Sequence, residues 1–258
     1  MKQMKFFLVA LLTLVMGMSV TSCMKGDDNT MAQRSEFVRV NQYDFPTSFT
    51  TSYGVKLVPA EPITSSTSKS MALISFQYDR ATVAEDAKSI NVTMLGDPYY
   101  FSEDYVSTNN TNVGNAPIVT LEPSTYYGTI SGGFFDKNTL ILPIAFKYKK
   151  YEKEADQSTE NALHSFFMTF DSETGFKDGV LTLKLYHNIQ GLEDVAEGET
   201  PIKRTDNTMD YKAYSISNIL SSISGTVTQV KVVIEENQND DKLSNASDRT
   251  YSYQYNFK

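Results

Sequence analysis

Apolar and polar residues alternate at period two along most of this chain, and that alternation commits it to β-strands. In Val180 to Ile189, residues Leu181, Leu183, Leu185, His187 and Ile189 fall on one face, with Thr182, Lys184 and Asn188 on the other. Ala162 to Phe170 repeats the pattern, with Ala162, His164, Phe166, Met168 and Phe170 in phase. Apolar spacing at 3.6 residues is almost absent, and the abundance of Tyr, Phe, Thr and Ser suits strands better than helices. An all-β protein is expected.

Strands are expected at Phe37 to Tyr43, Ser52 to Val58, Ser70 to Tyr78 and Ser89 to Leu95, with a Ser/Thr/Pro-rich loop from Pro59 to Lys69. The polar stretch 102–118 separates these from a second set: Gly128 to Ser131, Thr139 to Lys147, Ala162 to Phe170, Val180 to Ile189, Lys212 to Ile216, Thr226 to Ile234 and Arg249 to Phe257. Seven strands with turn-rich joints read as an antiparallel sandwich. A domain boundary is therefore placed at residue 118, giving a small barrel-like domain over 36–118 and a sandwich over 119–258. The one helix expected is short, Ile216 to Ile223.

The two histidines sit on the core faces of adjacent strands. If Asp171 to Gly179 is a hairpin loop, opposing the apolar faces sets Phe166 against Leu185 and Met168 against Leu183. His164 then lies directly across from His187, with Cβ atoms about 4.5 to 5.5 Å apart. Zinc needs a third or fourth protein ligand, and no cysteine is at hand to supply one, so a buried, hydrogen-bonded structural pair is the better reading. No metal or cofactor is expected.

The amino terminus fixes an address. Lys2 and Lys5 precede an apolar run from Phe6 to Val15, which has the length of a signal peptide and is too short to span a bilayer. Val20, Thr21, Ser22 and Cys23 then resemble the lipobox of bacterial lipoproteins, in which the cysteine is acylated and the leader 1–22 removed. Cys23 is the sole cysteine of 258 residues, so no disulfide framework competes for it. Two or three acyl chains, at about 0.8 kcal/mol per buried CH₂, would anchor the protein without a transmembrane helix. Residues 23–35 read as the lipidated cysteine and a flexible tether. Met24 to Asp28 resembles the acidic export signal of Bacteroides-type outer-membrane lipoproteins, which implies an outer-membrane anchor on the periplasmic or the cell-surface face.

Two further stretches resemble the NigD-like lipoproteins of Bacteroides-type bacteria. One is Tyr53 to Pro59, followed by the strand Met71 to Tyr78 and then Ile90-Asn91-Val92. The other is Thr129-Ile130-Ser131-Gly132-Gly133, followed by Leu163 to Phe166 and Leu183 to Asn188. The resemblance implies an OB-like N-terminal barrel and a C-terminal β-sandwich, and it carries over no catalytic residue.

Other candidate chemistry yields to plainer readings. The net charge of −8 repels phosphate backbones and argues against nucleic acid as a partner. Glu103-Asp104, Glu193-Asp194, Glu235-Glu236 and Asp240-Asp241 are adjacent pairs, which on a strand point to opposite faces rather than across a cleft. Asn237 to Asp248 echoes a calcium loop but has Lys242 where the turn needs Gly. Tyr251, Tyr253 and Tyr255 share a face of the last strand, either as core or as a binding surface for a glycan or a protein. There is no serine-hydrolase elbow, zincin motif or phosphate loop. The expectation is a non-enzymatic envelope lipoprotein that binds a protein partner, with a glycan-binding surface lipoprotein as the alternative.

Metabolic labelling with a palmitate analogue is expected to mark the wild-type protein, and Cys23→Ala to abolish both label and membrane association. Membrane association retained in the variant would overturn the lipid anchor.

Overall fold

The structure, a computed structural model, describes residues 30–64, 67–108, 114–122, 130–192 and 202–257. The leader, the lipobox Val20 to Ser22, Cys23 and the pair Glu193-Asp194 lie outside the described residues. Half the architecture is a ring: β1 (Met31–Asn41), β2 (Ser48–Thr50), β3 (Lys56–Pro59), β5 (Ser89–Met94) and β4 (Met71–Asp79) pair in that order, and β4 returns to β1. β3 and β5 run parallel. Val38, Phe49, Leu57, Ile74, Phe76 and Val92 fill the interior, as the alternation of each strand requires. This closed five-stranded ring is the expected OB-like barrel. The tether expected to run through residue 35 ends sooner, because β1 begins at Met31.

The remaining strands form two facing sheets. One has β7 (Glu103–Tyr105), β13 (Asp206–Ser215), β9 (Thr139–Tyr148) and β8 (Gly133–Asp136) in that order. The other has β10 (His164–Phe170), β12 (Val180–Ile189), β14 (Gln229–Glu236) and β15 (Ser247–Gln254), with the short β11 (Phe176–Lys177) also on β12. Leu140, Leu142, Ile144 and Phe146 of β9 meet Met168, Leu183, Leu185 and Val232 of the second sheet in one core. The sandwich is thus present but not wholly antiparallel. β12 and β14 are parallel because β13, which separates them in the chain, belongs to the opposite sheet; β7 and β13 are also parallel. Helix α2 (Ser217–Ser222) falls where a helix was expected, whereas α1 (Glu154–Leu163) was not expected and takes over Ala162 and Leu163, the first two residues of an expected strand.

The boundary expected at residue 118 is displaced. The chain leaves the barrel sheet after β6 (Tyr99–Phe101), which pairs with β4, and enters the sandwich at Glu103. Ser107, Ala116 and Ile118 bridge to Thr169, His187 and Glu236, so the described residues on both sides of this stretch join the sandwich sheets. The two parts also share a core: Met71 and Phe101 from the barrel pack with Phe135, Ile141, Tyr211 and Ala213. Arg39 of β1 crosses the same seam to pair with Glu103 and Asp136, both at 2.9 Å, and donates to Thr139 Oγ1 at 2.6 Å.

The register of β10 on β12 also differs from expectation. Phe166 lies opposite His187 and His164 opposite Ile189, a displacement of two residues. A two-residue shift keeps every side chain on its face, so alternation could not distinguish the two registers. The turn chemistry decides. Asp178 and Gly179, at φ 51° and 78°, make the two-residue hairpin turn that joins β11 to β12. Phe176 thereby takes the place opposite Leu181 that alternation gave to Phe170. A separate turn at Asp171, whose carboxylate accepts from the Glu173 N–H and the Thr174 hydroxyl, sets β10 back.

Gly132 stands against the ring of Pro143 on β9. A Cβ there would lie 2.6 Å from Pro143 Cδ and 2.9 Å from the Ile141 carbonyl oxygen, whereas at Gly133 it would meet open space. Gly132→Ala is therefore expected to cost about 1 to 3 kcal/mol in urea unfolding, and Gly133→Ala much less. Equal effects at the two positions would refute the close approach.

Candidate functional site

The structure brings the two histidines together on the diagonal of the β10–β12 ladder. Their rings stack at 5.1 Å between centroids, and His164 Nδ1 lies 2.9 Å from His187 Nε2. His187 Nδ1 lies 2.9 Å from the Pro117 carbonyl oxygen, so that nitrogen carries the proton and donates. On the far side, His164 Nε2 faces Glu160 Oε1 at 3.2 Å. Arg204 Nε and Nη2 donate to Glu160 at 2.7 and 3.1 Å, and the Lys149 N–H donates to the same Oε1 at 3.0 Å. A continuous polar chain thus runs from Arg204 to Pro117.

It is enclosed. The side chains of Glu160, His164 and Arg204 are 2%, 1% and 4% exposed, beneath the rings of Phe146 and Phe166. Burial pushes His187 down to about 3, with the neighbouring His164 and Arg204 adding to the effect against the Pro117 carbonyl. His164 is lowered as well, by burial first and by Arg204, while Glu160 opposes. Burial alone would raise Glu160, but the Arg204 hydrogen bond, the Lys149 amide and His164 together bring it below the usual carboxylate value. Each ring nitrogen faces a hydrogen-bonding partner within the chain. Among the described residues no cluster of His, Cys, Asp and Glu could hold a metal ion.

Glu160 and Arg204 were not anticipated from sequence. Glu160 is the only buried residue of α1, so the helix carries no apolar stripe to reveal it. Its spacing of four from His164 was the available signal, since i and i+4 share a helix face.

The other candidate residues are placed as follows. Tyr251 is buried in the sandwich core and donates to Glu236 at 2.5 Å, while Tyr253 and Tyr255 pack against that core from its margin. Glu103 is held by Arg39 across the seam. In the Asn237 to Asp248 hairpin, the Asn237 and Asp240 oxygens accept from the amides of Asn239 and Lys242, and the Asp241 carboxylate accepts from the Arg204 N–H. These oxygens serve the loop itself.

The two most exposed aromatics among the described residues lie elsewhere. Tyr43 and Phe45, in the loop between β1 and β2, are 101% and 83% exposed. Between them, Asp44 pairs with Lys56 at 2.8 Å and accepts from the Ser48 hydroxyl, which hold its carboxyl below the usual range. Asn41 donates to Ser48 at 2.8 Å and accepts from Thr50 at 3.0 Å. The backbone is fixed and the rings project freely. In the sequence, Tyr43 read as the end of a strand that in fact stops at Asn41.

No family model and no curated protein sequence matches the chain. Solved structures do. A candidate lipoprotein from Bacteroides fragilis is similar at 25% identity and a TM-score of 0.71, over 87% of this chain and 98% of that one. A protein of unknown function from Bacteroides vulgatus follows at 14% identity and 0.51, over 88% and 92%. A NigD-like immunity protein from Bacteroides caccae has 14% identity and a TM-score of 0.48, over 86% and 96%. The neighbours thus include a candidate lipoprotein.

A ring held neutral in the folded state but free to charge when unfolded makes stability depend on pH. The unfolded chain gains a proton at His187 below about pH 6.5, whereas the folded chain does not until about pH 3. Stability is therefore expected to fall as pH drops through that window, by up to about 1.4 kcal/mol per pH unit from this ring. Urea unfolding at a series of pH values should show a shallower dependence in His187→Gln. Parallel curves would refute the neutral ring.

Proposed function

We propose that this chain is a non-enzymatic envelope lipoprotein of the NigD-like kind, which binds a protein partner through the Tyr43–Phe45 loop. The lipobox ending at Cys23 and the likeness to the Bacteroides fragilis candidate lipoprotein support the envelope address. The acidic residues after Cys23 favour the outer membrane, on its periplasmic or cell-surface side.

One observation carries the binding role. Tyr43 and Phe45 present two uncovered rings on a loop that Asp44, Lys56, Ser48 and Asn41 already hold in place. Aromatic side chains of this kind supply most of the energy in protein interfaces when they enter pockets on a partner, and a fixed loop lowers the entropic cost of ordering. The net charge of −8 favours a partner face that is neutral or basic.

A glycan is the second reading, because exposed Tyr and Phe rings also stack on sugars. The polar side chains around these rings are already bonded to one another, which leaves fewer groups for sugar hydroxyls.

A photo-crosslinking residue placed at 43 or 45 in living cells is expected to give one discrete protein adduct. With the crosslinker at 43, Phe45→Ser should abolish it. No adduct, or the same diffuse products as from a crosslinker at the exposed Glu152, would overturn the protein-docking reading. Retention of the purified protein on a glycan array, lost in Tyr43→Ser, would favour the second.

A further inference from the structure

The chain from Pro117 to Glu160 contains three hydrogen-bond contacts in series: Pro117 O with His187 Nδ1, His187 Nε2 with His164 Nδ1, and His164 Nε2 with Glu160 Oε1. Each contact needs one proton. The Pro117 carbonyl can only accept, so the first proton is on His187 Nδ1. Two neutral imidazoles carry two protons in all. If the second lies between the rings, His164 Nε2 turns a bare lone pair toward Glu160. If it lies on His164 Nε2 instead, two bare ring nitrogens face each other at 2.9 Å.

Either way the neutral chain is one proton short. Glu160 is a poor place for the missing proton, since Arg204 and the Lys149 amide already favour its ionised form. His187 is worse, because it is sealed in the core with a carbonyl at one end and a second ring at the other.

We propose that the His187–His164–Glu160 chain is a single-proton site, which takes up one proton at His164 Nε2 on mild acidification and thereby completes the contact to α1.

The groups facing His164 set the balance. Glu160 on α1 attracts the incoming charge, Arg204 behind Glu160 repels it, His187 on β12 accepts its other N–H, and the Phe146 ring on β9 excludes water. Asp241, bonded to the Arg204 amide, adds a second carboxylate at the far end. Burial and Arg204 outweigh Glu160, so uptake comes below the ordinary imidazole value, and the deeper burial of His187 holds that ring lower still. The consequence is mechanical. The third contact is completed at a cost: an exposed His164 would take the proton more readily than the enclosed ring, so acidification loosens α1 and the Arg204 segment from the second sheet.

Nitrogen-detected NMR of the histidine rings in the whole protein, taken from about pH 8 down to pH 4, tests this directly. His164 Nε2 is expected to pass from bare to protonated below the ordinary imidazole value and ahead of His187, which keeps its single proton on Nδ1 throughout. A His187 that titrates first would overturn the proposal. So would a His164 Nε2 protonated at pH 8 or still bare at pH 4.

A second comparison isolates the cause. In Glu160→Gln with Arg204→Met, the new amide can donate to the bare His164 Nε2 and complete the neutral chain without any added proton. Uptake at His164 should then need at least about tenfold more acid. An unchanged midpoint would refute the proton-deficit argument. Should that double variant not fold, amide exchange of α1 in the wild type, corrected for intrinsic rates, serves instead. Protection should fall as His164 protonates, because the opened helix leaves the ring with its ordinary affinity for the proton, and constant protection across the titration would count against the proposal.

Discussion

β9 has no solvent face, and the rest of the molecule is arranged around that fact. Its even-numbered residues Leu140, Leu142, Ile144 and Phe146 fill the sandwich, while Ile141 turns toward the seam with the barrel. A strand buried on both sides cannot alternate apolar with polar, and Thr139 to Tyr148 does not. It needs cover on both sides at once. The second sheet supplies one cover, and the shared cluster of Met71, Phe101 and Tyr211 supplies the other. For this reason barrel and sandwich are parts of one packed body, and the polar residues between them are not a loose joint.

The seam also explains where charge is spent inside the protein. Arg39 extends from the barrel to two carboxylates on the sandwich, and its planar fork serves Glu103, Asp136 and Thr139 together. Glu160 and Arg204 form a second pair, which unlike the half-buried Arg39 is fully enclosed. Buried ion pairs of this sort contribute little net stability against an apolar replacement, yet losing one partner is costly. Their effect is to permit one arrangement of the surrounding elements and penalise others.

What the sequence disclosed follows from what each signal can encode. Period two located Met71 to Asp79 and Val180 to Ile189 to within a residue or so, because burial on a face is written directly into residue type. It could not fix the pairing of β10 with β12, since any even displacement leaves every face unchanged. That information lay in Asp178-Gly179, a turn signal read as part of a longer loop. α1 was invisible for the opposite reason: ten residues with a single buried member, Glu160, give no periodicity to detect. Both histidine side chains are buried, on strands whose alternation is plain in the sequence. The carboxylate and guanidinium that complete their chain come from a polar helix and a loop, where burial depends on long-range packing that no local pattern records.

The parallel join of β12 with β14 has a consequence for how the protein matures. Two hairpins, β10–β12 and β14–β15, must meet edge to edge, and β13 has to be laid into the opposite sheet before they can. Until then β12 keeps a bare row of amides and carbonyls beside a run of leucines. Such an edge recruits other chains. A molecule emerging through a membrane from its amino end would pass through a stage in which everything but the β14–β15 hairpin is assembled. Over that interval β12 needs shielding by a chaperone or by speed, and the final hairpin seals the sheet as well as extending it.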